Sequence, residues 1–291
     1  MMDKRNDMTP VTCGELARRC RRVLTPVYGA GEADAMTSLI FHSLKGWDRT
    51  AMVVNSDFPA SEWLLGKVGE ILERLERHEP IQYILGEARF HGMDLKVTPD
   101  TLIPRPETAE LVDMVTDREG DTPDLRVLDV GTGSGAIAIA LARNLRFPEV
   151  TAIDISAGAL AVAAENARRL HADIRLMRRD VFTWTPDADS FDIIVSNPPY
   201  IAREERNSME ANVRDHEPEG ALFVPDSDPL LFYRRIAVIG RDALVRGGRV
   251  YFEINPRFAD ALAELMGRGG YLEVELHRDS YGKTRFLTAV R

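Results

Sequence analysis

The chain has 291 residues and a mass of 32.6 kDa, too long for one small domain and comfortable for two. With 44% apolar and 29% charged residues, it is neither a disordered, a collagen-like nor a disulfide-stapled chain. A formal net charge of -9 and a pI of about 5.3 oppose a protein that grips nucleic acid through its phosphates.

The start of the chain, Met1-Met2-Asp3-Lys4-Arg5-Asn6-Asp7, is followed by no apolar h-region, so no signal peptide is expected. No apolar run approaches the ~18–20 residues of a membrane span, so no membrane partner is expected either. Cys13 and Cys20 lie seven apart, roughly 10 Å along one helix face and too far for a disulfide. They read as small buried apolar residues, and two unpaired cysteines suit a reducing cytoplasm. Residues 9–85 read as helices only, over 15–27, 32–44 and 61–77. In the second, Ala33, Met36, Leu39, Ile40, Ser43 and Leu44 form a stripe. In the third, Trp63, Leu64, Val68, Ile71, Leu72 and Leu75 share a face, with Ser61 as N-cap and His78-Glu79-Pro80 as the stop. A small helical bundle is expected over residues 1–85. This segment carries 11 Lys+Arg and 12 Asp+Glu, against 26 and 34 in the remainder, so the acidity belongs to the rest of the chain.

Residues 87–90 and 94–97 alternate around His91-Gly92-Met93, a hairpin signature, and 86–103 reads as a connector. A helix follows over 106–117. Strands are then expected over 126–130, 150–154, 174–178, 192–195, 249–254, 271–277 and 284–290. Helices fall near 135–146, 157–170, 228–244 and 257–267. Such alternation means an α/β domain over 104–291, with a mostly parallel seven-stranded sheet and helices on both faces. The last two strands lack a helix between them and should pair antiparallel. Residues 202–227, with Glu204, Glu205, Arg206, Asp215, His216 and Glu217, read as a long polar loop, functional or a lid.

The strand Val127-Leu128-Asp129-Val130 runs into Gly131-Thr132-Gly133-Ser134-Gly135 and then a helix. Glycine permits the tight turn and lets a ligand lie against bare backbone. The helix N-terminus offers free N–H groups to a carboxylate or phosphate. Asp154 ends the next strand, where an acid can accept hydrogen bonds from both ribose hydroxyls. Gly131-x-Gly133-x-x-Ala136 also satisfies the dinucleotide fingerprint, which leaves a nicotinamide cofactor open. Asp129, just before the loop, tilts the reading toward S-adenosylmethionine. Past the third strand, Asp180 can accept from an adenine amino group, with Val181 and Phe182 against the ring.

Ser196-Asn197-Pro198-Pro199-Tyr200 follows the apolar strand Phe191-Asp192-Ile193-Ile194-Val195. Two prolines remove two backbone donors and fix φ twice, making a rigid shelf of outward carbonyls. The Asn197 side-chain oxygen adds an acceptor and Tyr200 a flat face. The set suits one task, gripping a planar NH2 group. Its two N–H donors meet Asn197 and the Pro198 carbonyl, the Tyr200 ring stacks on its plane, and its nitrogen is aimed in near-attack geometry. An amide nitrogen is a poor nucleophile, and two acceptors stabilise the positive charge that develops on it.

The arrangement Asp129-x-Gly131-x-Gly133-x-Gly135 resembles motif I of class I S-adenosylmethionine-dependent methyltransferases, which have a Rossmann-like fold. With Asn197-Pro198-Pro199-Tyr200 it looks like an amino-group N-methyltransferase. Glu79-Pro80-Ile81-Gln82-Tyr83-Ile84-Leu85-Gly86, Leu102-Ile103-Pro104-Arg105-Pro106-Glu107-Thr108 and Val213-Arg214-Asp215-His216-Glu217-Pro218 all resemble the HemK/PrmC family of protein-(glutamine-N5) methyltransferases. The resemblance spans nearly the whole chain. It implies as substrate the glutamine of the GGQ loop of class I peptide chain release factors, docked with help from the helical domain. It also implies that Asp129, Gly131, Thr132, Gly133, Ser134, Gly135, Asp154, Asp180, Val181 and Asn197 line the cofactor. Asn197, Pro198, Pro199 and Tyr200 would hold the substrate amide, with Asn197, Pro198 and Tyr200 catalytic, and residues 104–108 would border the pocket. The chain departs from the family at Val181, where some members have Trp, and at Glu253-Ile254-Asn255, where many have Glu-Ile-Gly.

A nucleic-acid N-methyltransferase uses the same tetrad, but the acidic balance and the lack of a basic recognition insert count against it. A dehydrogenase leaves the tetrad unexplained, and a non-catalytic docking module leaves both motifs unexplained. The histidines (His42, His78, His91, His171, His216, His277) show no metal-ligand spacing, so no metal is expected. Release factors work against ribosomal RNA and should be basic near that loop. An acidic catalytic domain would then attract its substrate.

Overall fold

The computed structural model describes residues 10–291, so the N-terminal segment Met1 to Asp7 discussed above lies outside the described residues. The chain forms two units, one ending at Leu85 and one spanning Gly86–Arg291.

The first unit holds α1 (Cys13–Tyr28), α2 (Ala30–Lys45), α3 (Arg49–Val54), α4 (Glu62–Leu75) and α5 (Ile81–Leu85). Thr12 and Glu15 form a reciprocal capping box at the start of α1, which satisfies two end donors at once. Ser61 caps α4 by accepting from the Leu64 N–H. Leu16, Cys20 and Leu24 of α1 pack with Ile40 and Phe41 of α2 and with Leu64, Val68 and Leu75 of α4. Both cysteines are free and buried, and burial pushes the Cys20 thiol up to about 11. Three stripe assignments need correction: Leu39, Ser43 and Trp63 are exposed, Leu39 and Trp63 at 45% and 55%. Leu39 and Trp63 each precede a buried residue, Ile40 or Leu64, and one residue turns a helix by about 100°, off the core stripe. The buried partner in α2 is instead Phe41. The two short helices α3 and α5 lie where the sequence shows no periodic run.

The second unit opens with the hairpin β1 (Glu87–Phe90) and β2 (Met93–Lys96). Its two-residue turn, His91-Gly92, has positive φ at both positions, the geometry that matches strand twist in short hairpins. Then come α6 (Pro106–Glu119), β3 (Arg126–Val130), α7 (Ala136–Asn144), β4 (Glu149–Asp154), α8 (Ala157–Arg169), β5 (Ile174–Arg178) and β6 (Phe191–Ser196). Residues 202–227 are not a bare loop. They fold as β7 (Ile201–Ala202), a 3-10 turn over Arg203–Ser208, α9 (Ala211–His216), α10 (Glu219–Leu222) and β8 (Phe223–Val224). The chain ends with α11 (Leu231–Ala243), β9 (Leu244–Glu253), α12 (Ala259–Arg268), β10 (Leu272–Arg278) and β11 (Thr284–Val290).

The seven-stranded sheet has the order β10-β11-β9-β6-β3-β4-β5. Strands β9, β6, β3, β4 and β5 are parallel, and β11 runs antiparallel to both β9 and β10. The strands alternate between two cores. Val127, Ile193, Val195 and Tyr251 join α6 and α7 on one face, while Leu128, Ile194, Val250 and Phe252 join α11 and α12 on the other. Central β3 is the point where strand order reverses, and in such sheets ligands bind beyond the carboxyl ends of the strands. Buried Asn166 of α8 ties two pieces together there. It donates to the Lys96 and Ser134 carbonyls and accepts from the Lys96 N–H, so β2 and the glycine loop share one side chain.

Candidate active site

The glycine loop leaves β3 at its carboxyl end and is pinned to β4, because the Gly131 and Thr132 N–H groups both donate to the Ile153 carbonyl at 2.9 and 3.0 Å. Gly131, Gly133 and Gly135 all have positive φ, but for different reasons. A Cβ on Gly135 would stand 3.0 Å from Ile139 and 3.2 Å from Ala163, so this glycine lets α7 pack on α8. A Cβ on Gly131 or Gly133 would meet nothing within 4 Å. These two leave a bare backbone cradle.

Asp129 lies beneath the loop, fully buried. Its Oδ2 accepts from the Thr132 hydroxyl at 2.7 Å and from the Ala138 N–H at 3.2 Å. Among the described residues its Oδ1 is the one buried side-chain polar atom without a hydrogen-bond partner. Burial pushes the carboxyl up to about 7, against the pull of Thr132 and Ala138. A buried acceptor of this kind suits a cationic ligand. Thr132 and Ser134 are themselves buried and hold the loop, Thr132 through its hydroxyl and Ser134 through its carbonyl.

Asp154 ends β4. Its Oδ2 accepts from the Gly133 N–H and its Oδ1 from the Ser156 N–H, both at 2.9 Å. Each carboxylate oxygen keeps a further lone pair, enough for two hydroxyls. Asp180, beyond β5, accepts through Oδ1 from the Phe182 N–H. Val181 is buried in the core beside Leu128 and Ile153, and its carbonyl accepts from Arg235. The aromatic surface nearby is Phe182, 40% exposed and 5.1 Å from the ring of Phe232.

The tetrad follows β6, where the Ser196 hydroxyl donates to the Val130 carbonyl and locks this strand end to β3. Asn197 Nδ2 donates to Thr108 Oγ1 at 3.2 Å. The Thr108 hydroxyl donates to Glu253 Oε2 at 2.6 Å, and the Tyr200 hydroxyl donates to Glu253 Oε1 at 3.1 Å. Asn255 Nδ2 donates to the Tyr200 carbonyl. Glu253 is 1% exposed, and burial raises its carboxyl while Thr108, Arg285 and Tyr200 pull it back. Burial, then the Glu253 charge, drives the Tyr200 phenol well above its ordinary value. Asn197, Pro198 and Tyr200 line an open cleft with Leu102, Arg105, Ile201, Val213, Ala221 and Leu222. One wall of the cleft is tied down by Glu217. This residue accepts from the Ile103 N–H and pairs with Arg105.

Glycine loop, Asp154, Asp180 and tetrad thus all stand at the carboxyl ends of the parallel strands. Two roles escape a reading of the sequence by motif, the hydrogen-bonding parts played by Glu253 and Thr108 behind the tetrad. The available signal is a lone carboxylate closing the apolar run Val250-Tyr251-Phe252, since a buried charge demands partners. Among the described residues no three His, Cys, Asp or Glu side chains converge as metal ligands. Nor is any helix of the described residues long and apolar enough to cross a membrane.

Comparison with known proteins bears on this geometry. Residues 15–86 match the PrmC N-terminal domain and residues 108–218 the methyltransferase small domain. A release factor glutamine methyltransferase of Bacteroides thetaiotaomicron is 46% identical over 272 residues, covering 93% of this chain and 97% of that protein. One of Flavobacterium psychrophilum is 38% identical, covering 91% and 94%. A crystal structure of a methyltransferase from Pyrococcus furiosus shares the fold at a TM-score of 0.50 and 19% identity, covering 68% of this chain and 89% of that one.

Proposed function

The chain belongs to the release factor glutamine methyltransferases, and from that membership we infer that it transfers a methyl group from S-adenosylmethionine to a glutamine side-chain nitrogen (N5). The acceptor we propose is the glutamine in the GGQ motif of class I peptide chain release factors. The observation that carries this reading is the tetrad, Asn197 to Tyr200, which lines a cleft and follows the strand end that the Ser196 hydroxyl ties to Val130, the residue before the glycine loop.

The residues present fit the cofactor. The unpartnered Asp129 Oδ1 and the open Gly131–Gly133 cradle suit the cationic amino-acid end, and Asp154 has capacity for a ribose. When bound, S-adenosylmethionine supplies an electrophilic methyl on a sulfonium sulfur. Asn197 Oδ1 and the Pro198 carbonyl would accept the two N–H groups of the substrate amide. The Tyr200 ring would lie against its plane, held by the hydroxyl bond to Glu253 and the carbonyl bond from Asn255. Both acceptors bind more tightly as positive charge grows on the nitrogen, so they favour the transition state over the ground state. No strong base is needed at the outset, because the amide proton becomes acidic only as the N–C bond forms.

The helical unit, which matches the PrmC N-terminal domain, takes the docking role in this proposal. A cytoplasmic location is part of the same proposal, supported by two free buried cysteines. The test is transfer from radiolabelled cofactor to unmodified release factor, with the label mapped by peptide. Label on the GGQ glutamine is expected. Label elsewhere, or none from a folded protein that binds cofactor, overturns the proposal.

A further inference from the structure

An asparagine amide has two faces, an oxygen that accepts and an NH2 that donates, and half a turn about its last bond exchanges them. Only the oxygen-outward orientation grips an NH2 group. In this structure the orientation is dictated from behind. Glu253 is buried, and its two carboxyl oxygens each receive a hydroxyl donor, Thr108 at 2.6 Å and Tyr200 at 3.1 Å. Thr108 has a single hydroxyl hydrogen, and that hydrogen points to Glu253. Its remaining lone pairs can only accept, and they take the Asn197 Nδ2 donor at 3.2 Å. Thr108 is 4% exposed, so water is a poor substitute. Strand alternation builds this chain of bonds. Glu253 falls on the same face of β9 as Tyr251, toward α6, whose first turn carries Thr108.

We propose that Thr108 and Glu253 are positioning residues that set the acceptor specificity of the site. They hold the Asn197 oxygen outward, so that the cleft takes a neutral primary amide and rejects the carboxylate of the same length. The proposal rests on the glutamine-methylating function inferred above and adds the device that tells glutamine from glutamate. A glutamate brought to the same place would face two acceptors, the Asn197 oxygen and the Pro198 carbonyl, with no donor. With the chain of bonds broken, Asn197 can turn its NH2 outward and donate to that carboxylate.

The test uses the full chain, unmodified release factor as substrate, and the same factor with glutamate at the acceptor position as competitor. The reading is the ratio of the competitor's inhibition constant to the KM for the glutamine form. Thr108→Val keeps the shape and removes the hydroxyl, and the ratio should fall about tenfold or more while cofactor affinity stays within about twofold. Thr108→Ser restores the hydroxyl and should keep the ratio within about threefold of the parent. Glu253→Gln supplies an NH2 that can donate to Thr108, frees the Thr108 hydrogen for Asn197, and should lower the ratio as Thr108→Val does. An unchanged ratio in both Thr108→Val and Glu253→Gln overturns the proposal, whatever happens to kcat. So does an equal fall in Thr108→Ser, or the loss of the folded state in both disruptive variants. A parent enzyme that leaves the glutamine unmethylated instead overturns the function on which the proposal rests.

Discussion

Replacing Asp129 by asparagine should make the cofactor-free protein more stable and the cofactor complex weaker. The carboxyl is fully buried, and its Oδ1 has no partner among the described residues. Burial pushes it up to about 7 from 3.8, so between those values the folded chain holds a proton that the unfolded chain has released. Stability therefore falls as pH rises from about 4 to about 7 and stays reduced above that. The gap corresponds to about 4 kcal/mol at pH 8. Asparagine can keep the acceptor for Thr132 and Ala138 and place its NH2 where Oδ1 stood, uncharged. An unsatisfied buried amide costs about 1–3 kcal/mol, leaving a net gain of roughly 1–3 kcal/mol. For a unit of this size that is a rise of about 2–4 °C in Tm per kcal/mol. Calorimetry at pH 8 without cofactor reads it. Affinity should move the other way, down about 10- to 100-fold, because the charged hydrogen bond proposed between Asp129 and the cofactor's ammonium is lost. In the parent protein a cationic cofactor favours the ionised carboxylate. Its affinity should then be about tenfold weaker at pH 6 than at pH 8, while the variant shows no such slope. A parent affinity that is flat between pH 6 and 8, or a variant no more stable than the parent at pH 8, refutes the reasoning.

Asn197→Ala should lower kcat by about 10²–10³ while weakening cofactor affinity far less, since its main loss is an acceptor used as charge develops. Isothermal titration beside single-turnover kinetics separates the two effects, and equal loss of both contradicts the role given to Asn197. The catalytic unit carries the chain's acidic excess, so association with a basic release factor should slow as salt rises. Stopped-flow association between 20 and 500 mM salt, roughly a fivefold change in Debye length, reads it. An association rate indifferent to salt removes the steering argument.

The order of strands and helices in the catalytic unit is legible in the sequence because period and punctuation are strong there. Three glycines follow β3, two prolines follow β6, and apolar strands are separated by helical runs. The helical unit is legible more coarsely. Leu39 and Trp63 are apolar neighbours of the core stripe, and hydrophobicity alone does not say on which side of the stripe they fall. Helices α3 and α5 are six and five residues long, less than two turns, too short to display a period. Residues 202–227 read as a polar loop, yet short helices and the β7–β8 pair order them, with Leu222, Phe223 and Val224 buried and Glu217 bonded to Ile103 and Arg105. Thr108 and Glu253 stand 145 positions apart, and their contact exists only once the sheet register and the placement of α6 are known.

The triple hold of Asn166 joins local unfolding events that chain connectivity would leave separate. For the glycine loop to open, the Ser134 carbonyl must release Asn166, and for β2 to fray, Lys96 must release it from both its N–H and its carbonyl. Either event strands a fully buried amide, at about 1–3 kcal/mol for each group left unsatisfied. The hairpin and the cofactor loop should therefore open together as one cooperative unit. Cofactor binding at the glycine loop, as proposed above, should then slow hydrogen exchange at the Lys96 amide, in a strand distant in sequence from that loop.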